Sequence, residues 1–220
     1  MKNLKTTLAS LMLGLLFSGQ TMAIEEPQYK VTLSDGSFEI RQYAPFLIAE
    51  TLVEGDMDEA SNKGFQLIAD YIFGNNQVPH SLESSKISMT APVTVEPLSK
   101  KIEMTAPVTL QSVSAASGVQ TATKWRVHFV MPSQYTLANI PKPKNDAVTL
   151  KEVPGKTYAA HTYSGFNTLA RVQSKIDDTL EWAQRKSLKV IGTPQLSRYD
   201  PPWTLPMFRR NEILLEVSPP

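Results

Sequence analysis

The chain has 220 residues, 22 basic and 21 acidic, and its formal charge of +1 gives no electrostatic basis for binding nucleic acid or an anionic membrane surface. It has no cysteine, which excludes disulfides, thiolate metal ligands, a cysteine nucleophile, covalent c-type haem attachment and a lipid-modified N-terminus.

Lys2 and Lys5 precede an apolar run from Leu8 to Phe17 and a small-residue site ending Thr21-Met22-Ala23, the order of a secretory signal peptide cleaved after Ala23. The run is too short to span a bilayer, which takes about 20 apolar residues. Cleavage leaves 197 residues (24–220) of formal charge −1, enough for one core. The expected location is the periplasm, without a stable membrane anchor.

Alternating segments at Tyr29–Leu33, Phe38–Tyr43 and Phe46–Val53, broken by Ser34-Asp35-Gly36 and Ala44-Pro45, predict an antiparallel meander. Asp56, three residues before Glu59, opens a helix whose face is Ala60, Gly64, Leu67, Ile68, Tyr71 and Ile72, and Gly74-Asn75-Asn76 stops it. A polar stretch from Asn75 to Lys86, holding Pro79 and His80, reads as a mobile loop. Two related strand segments follow at residues 86–94 and 101–109, sharing the pattern KIxMTAPVT.

Ser112 to Thr123 reads as a flexible connection, and Trp125, Val127, Phe129 and Met131 alternate as a half-buried strand before a loop from Pro132 to Asn145. A second helix places Leu169, Val172, Ile176, Leu180 and Ala183 on one face, leaving Asp177, Asp178, Glu181 and Arg185 to solvent. After a Gly192/Pro194 break come a short segment through Tyr199, the loop Asp200-Pro201-Pro202-Trp203 and a last strand from Glu212 to Val217.

The second half echoes the first. At a shift of 110 residues Ile40, Ala49, Gly55 and Ala60 fall on Leu150, Ala159, Gly165 and Ala170. Two strand-rich halves, each with one helix, indicate an internal pseudo-duplication, unless the match is a chance alignment of two similar segments.

Tyr199-Asp200-Pro201-Pro202-Trp203-Thr204, then Pro206 and Arg209-Arg210-Asn211-Glu212, resembles the C-terminal signature of SOUL haem-binding proteins. The KIxMTAPV segments, Phe38-Glu39-Ile40-Arg41-Gln42-Tyr43 and Gly165-Phe166 resemble that family too, in the family's order along the chain. The resemblance implies an α+β fold, a distorted antiparallel β-barrel flanked by two helices and built from duplicated β-α-β-β halves. It implies reversible, non-catalytic binding of haem or a related tetrapyrrole.

Such a ligand needs an apolar, aromatic-lined cleft and a polar or basic group for its propionates. The family's groove lies beside the first helix, which here points to Asn62 through Ile72: Phe65, Ile68 and Ile72 as lining, unless they pack the core, and Lys63 for a propionate. Asn62 and Gln66 stand where charge would help. Arg209 and Arg210 are either propionate partners or, with Glu212, a salt-bridged entry to the last strand. Axial candidates are His80, His128, His161, Met89 and Met104; each histidine alternatively serves structure, and each methionine a strand core.

Two rival functions stand beside this one. An enzyme acting on a small molecule would use Glu212 or Glu50 as base and Tyr163 as donor. A protein-interaction module with a vestigial pocket would use loops 75–86 and 112–123.

Overall fold

The computed structural model describes residues 24–98, 119 and 121–218. The alternating segments form β1 (Tyr29–Asp35), β2 (Phe38–Tyr43) and β3 (Phe46–Glu54). Asp56 caps helix α1 (Met57–Ile72), its Oδ1 accepting from the Asp58 and Glu59 amides at 2.9 and 2.8 Å, which satisfies N–H groups that a helix start leaves unpaired. Then come β4 (Asn76–Gln77), β5 (Val93–Pro97), β6 (Lys124–Val130), β7 (Lys142–Pro143), β8 (Thr149–Val153) and β9 (Lys156–Tyr163). The chain continues through α2 (Leu169–Arg185), β10 (Gln195–Arg198), a 3-10 turn at Pro206–Phe208 and β11 (Asn211–Val217).

Nine strands make one antiparallel sheet, ordered β1-β2-β9-β11-β10-β5-β6-β3-β8 and curled into a half-barrel, while β4 and β7 pair separately. Without β1 the order reads the same when β2 and β8, β3 and β9, β5 and β10, and β6 and β11 are exchanged. The chain is therefore a pseudo-two-fold duplication. Each half is a β-α-β-β unit whose preceding strand, β2 or β8, is laid on the other half. The shift of 110 residues follows this symmetry: Ala49 and Ala159 are fully buried in β3 and β9, and Gly55 and Gly165 precede the helices at φ 135° and 111°, a region that favours glycine.

α1 lies over β3 and β6, and α2 over β9 and β11, with the core between them and the sheet. Gly64 allows the close approach of α1, because a Cβ there would sit 2.5 Å from the Val127 Cβ. Gly64→Ala is expected to cost about 1–3 kcal/mol by overpacking, read from urea midpoints, and Val127→Ala in the same chain should return part of it.

The second helix buries most of the expected face and extends it to Trp182. Val172, Ile176 and Ala183 are buried, but Leu169 is exposed and Leu180 half-buried, and Trp182 fills the core. Its ring stacks on Phe38 with centroids 5.2 Å apart, and its Nε1–H donates to Asp35 Oδ2 at 3.0 Å.

The first KIxMTAPVT segment is also corrected. Residues 86–92 are irregular, with Thr90 bridged to Glu25, and β5 starts only at Val93, after Pro92, which has no N–H for a ladder. The second copy at 101–109 and residues 112–118 of the expected connection lie outside the described residues. The strand at Trp125 is buried on both faces towards its end, His128 and Val130 included, because the sheet curls over it. The loop from Asn75 is anchored by buried Asn76, whose Nδ2 donates to the Tyr71 and Ser85 carbonyls at 2.8 and 2.7 Å.

Candidate functional site

The sheet face turned away from the helices carries a row of polar side chains that crosses from strand to strand. Glu50 lies opposite His128, His128 opposite Thr94, Thr94 opposite Ser197, Ser197 opposite Glu212, and Glu212 opposite Thr162. Side-chain alternation along a strand puts every other residue on this inner face.

Glu212 is fully buried there. Its Oε2 accepts from Arg41 Nη1 at 2.7 Å and Tyr199 OH at 2.6 Å, and its Oε1 from Arg210 Nε at 3.1 Å and Thr162 Oγ1 at 3.2 Å. Burial opposes the charge, but Arg41, with Tyr199 and Arg210, outweighs it and holds the carboxyl below its usual range. Arg41 also pairs with Glu39 at 2.7 Å. Arg210 clamps Glu26 through two bonds of 3.0 Å and stacks 3.7 Å over the Tyr199 ring.

Further along the row, His128 is buried with no partner for Nδ1 among the described residues. Burial, with the Arg126 and Lys151 charges, pulls its pKa down to about 3, so the ring is neutral at neutral pH. Arg126 Nε is 3.2 Å from Glu50 Oε2, close enough for an ion pair but not aligned for a hydrogen bond, and Nη1 is 3.3 Å from Glu96.

A cavity of about 590 Å³ opens where β2 turns into β3 and β8 into β9, walled by Phe46, Leu47, Val130 and Met131. Its size suits a small ligand. The charged groups lining it are Glu25, Glu152 and the Arg210-paired Glu26, with no lysine or arginine, so its wall offers no counter-ion to a ligand that carries carboxylates.

A different surface forms where two motifs meet. The Gly165 N–H donates to the Pro206 carbonyl at 2.9 Å, joining the start of α2 to the loop between β10 and β11. Around this junction Phe166, Trp203, Leu205, Met207 and Phe208 are between 57% and 82% exposed. Large apolar side chains clustered on a surface mark an interaction site, whereas isolated ones do not. The scaffold beneath is tied together: Tyr163 OH donates to Asn167 Oδ1 at 2.8 Å, Asn167 Nδ2 to Asn211 Oδ1 at 2.7 Å, and Asn211 Nδ2 to the Gly165 carbonyl at 3.2 Å.

The predicted site residues are scattered over the fold. Lys63 and Phe65 lie on the exposed side of α1, Phe65 with its ring centroid 5.5 Å from that of Phe129. Ile68 and Ile72 point into the core, where a ligand meets them only if the helix lifts. Arg210 is enclosed by Glu26 and Glu212, the salt-bridged arrangement, while Arg209 borders the apolar loop, 5.8 Å over the Phe166 ring.

His161 lies beneath α2, stacked 4.1 Å on Phe38 with Nδ1 3.3 Å from Thr179 Oγ1, and burial lowers its pKa. His80 is exposed on its loop, Met89 is partly exposed, and Met104 lies outside the described residues. Among the described residues no three His, Asp or Glu side chains are grouped to hold a metal ion. Met207 places a thioether on the apolar loop face, an atom type that can ligate haem iron.

The carboxylates and tyrosine of the enzyme reading are not assembled as a base and donor: four donors occupy Glu212, Glu50 is ion-paired with Arg126, and the Tyr163 hydroxyl is engaged by Asn167. Sequence reasoning missed Trp203, Leu205, Met207 and Phe208 as a surface. Their signal was an apolar run inside a proline-bearing turn, where no periodicity calls for core residues.

A family model described as SOUL heme-binding protein matches residues 24–100 and 96–216. No curated protein matches the chain. Among solved structures, the EcmrR C-terminal domain is 13% identical over 86% of this chain and 98% of its own, with a TM-score of 0.54. EcmrR in a DNA complex is 10% identical over 82% of this chain and 57% of its own, with a TM-score of 0.52. A hydrolase from Listeria innocua is 12% identical over 85% of this chain and 94% of its own, with a TM-score of 0.50. At these identities the likeness is one of fold.

Proposed function

The chain belongs to the SOUL heme-binding protein family, and on that premise we propose that it binds haem or a related tetrapyrrole reversibly, as a non-catalytic carrier or buffer in the periplasm. The observation that carries the reading is the exposed apolar face of Phe166, Trp203, Leu205, Met207 and Phe208. A macrocycle laid on it covers rings that otherwise face water, and the acidic cavity between the turns is the poorer host for propionates. The closed coordination of Glu212 argues against hydrolysis at that carboxylate. The leader-like first 23 residues support export.

The test uses a built-in reporter. The chain has three tryptophans; Trp125 and Trp182 are buried, and Trp203 is exposed on the proposed face. Titration with haem, and in parallel with iron-free protoporphyrin IX, is expected to quench Trp203 emission and saturate near one ligand per chain. Similar strength for the two is expected, since burial and not iron supplies the affinity. Trp203→Ala with Phe208→Ala, followed by the absorbance of the porphyrin itself because the reporter is removed, should weaken binding at least about tenfold at unchanged melting temperature, as each buried aromatic contributes roughly 1.5–3 kcal/mol. Unaltered affinity in that variant would move the ligand elsewhere, and no saturable binding to the unaltered protein would end the tetrapyrrole reading.

A further inference from the structure

The chain has seven arginines, and five of them face carboxylates: Arg41, Arg126, Arg185, Arg198 and Arg210. Arg171 and Arg209 have no carboxylate partner among the described residues, and both lie against the 164–166 segment. Arg171 Nη2 donates to the Ser164 carbonyl at 2.9 Å, and its guanidinium covers Gly165, where a Cβ would meet Nη2 at 3.2 Å. Arg209 Nε donates to the Thr204 carbonyl at 2.7 Å, Nη2 bonds the Pro202 carbonyl, and the guanidinium sits over the Phe166 ring.

Arg198 joins them from β10. Among the described residues its buried Nε has no hydrogen-bond partner, and its one carboxylate neighbour, Asp58, is 3.6 Å away and largely exposed. Arg198 stands opposite Asn211, and Asn211 opposite Tyr163, so Arg198 lies at the same end of the sheet as the strand that leads into the 163–166 segment. This segment leads into α2, whose first turn has no acidic residue, unlike that of α1 with Asp58 and Glu59. The start of a helix favours an anion. Three guanidinium groups with one distant carboxylate leave an uncompensated positive corner at the edge of the apolar face.

We propose that Arg171, Arg198 and Arg209 form a carboxylate subsite, so that the protein selects planar apolar ligands carrying free acids on one edge and discriminates against their esters. This rests on the proposed tetrapyrrole face: the ring lies on Trp203, Phe208 and Phe166, and the propionates reach the guanidinium groups, whose planar forks match carboxylate geometry. An incoming carboxylate also gives the buried Arg198 Nε the acceptor it lacks. Arg210, enclosed by its own carboxylates, takes no part.

The experiment compares protoporphyrin IX with its dimethyl ester on the purified protein, following Trp203 emission. The expected result is binding of the acid at least tenfold tighter than the ester, an advantage that shrinks as salt is raised. Arg171→Gln with Arg209→Gln should bring the acid down to the level of the ester. Arg185→Gln, a surface change at the far end of α2, is the control for charge alone and should leave the preference intact. Melting temperatures establish that the variants fold, and Arg209→Lys, keeping charge without the fork, should fall between. Equal binding of acid and ester to the unaltered protein overturns the subsite and leaves the apolar face standing. Binding of neither removes both.

Discussion

Replacing Glu212 by alanine is expected to destabilise the protein by about 3–5 kcal/mol, the usual cost of breaking a buried ion pair from one side. The carboxylate is fully buried and receives Arg41, Tyr199, Arg210 and Thr162. Without it, Arg41, itself only 3% exposed, keeps Glu39, and Arg210 keeps Glu26, which places the cost within that range and not above it. Because domain stabilities are about 5–15 kcal/mol, this variant would be marginal at 37 °C.

Urea unfolding of Glu212→Ala, Arg41→Met and the double variant reads the coupling directly. The double variant should be more stable than Glu212→Ala, since removing both charges leaves no buried guanidinium short of its counter-ion. A loss under 1 kcal/mol in Glu212→Ala would mean that the network is open to water and that Glu212 is free to act as a base.

Arg41 and Glu212 are 171 residues apart, and nothing in either local pattern announces their meeting; it arises from the lateral order β2-β9-β11. What was legible were the repeats. The 110-residue shift captured the symmetry because alanines at the tight positions of β3 and β9, and glycines before each helix, answer the same steric demand twice. The fate of Arg210 was also within reach, because residues two apart on a strand share a face and Arg210 is two before Glu212. The widening of the buried face of α2 to Gln173, Thr179 and Trp182 was not. Hydropathy counts Thr179 and Gln173 as solvent residues, but Thr179 is buried with its hydroxyl bonded to the Lys175 carbonyl at 2.6 Å, and the helix turns until Trp182 reaches Phe38.

The candidate site divides in the same way. Tyr199–Thr204 and Gly165-Phe166 carried the resemblance as separate strings, and the bond from Gly165 to Pro206 makes them one surface. The expected groove residues on α1 were chosen by spacing, which cannot separate a helix side that lines a cleft from one that seals a core. Ile68 and Ile72 seal it, and only Phe65 and Lys63 of that set face outward. A surface aromatic inside a proline turn is the less ambiguous signal, because core packing offers no competing explanation for it.

Acid is expected to weaken the fold through His128 well before the carboxylates titrate. In the folded protein burial and the neighbouring Arg126 and Lys151 charges lower its pKa to about 3, against about 6.5 in the unfolded chain. The group is a base with a depressed folded pKa, so below pH 6.5 the unfolded state takes up a proton that the folded state refuses, and stability falls as pH falls until about pH 3. Each unit in this window costs about 1.4 kcal/mol, so the loss from His128 alone is about 2 kcal/mol by pH 5. His161, with its pKa also lowered, adds in the same direction. Glu212, held below its usual range, adds only below the ordinary carboxylate range, where its stabilisation is lost as it protonates. Glu50 faces His128 across the β3–β6 ladder but is paired with Arg126, and it does not rescue the imidazolium. Urea unfolding at pH 7, 6 and 5 should show a stability slope in the unaltered protein that is shallower by most of a unit proton in His128→Leu, with the variant gaining relative stability towards acid. Parallel slopes for the two proteins would show that His128 is protonated in the folded state, and that the inner row holds a charge at that position.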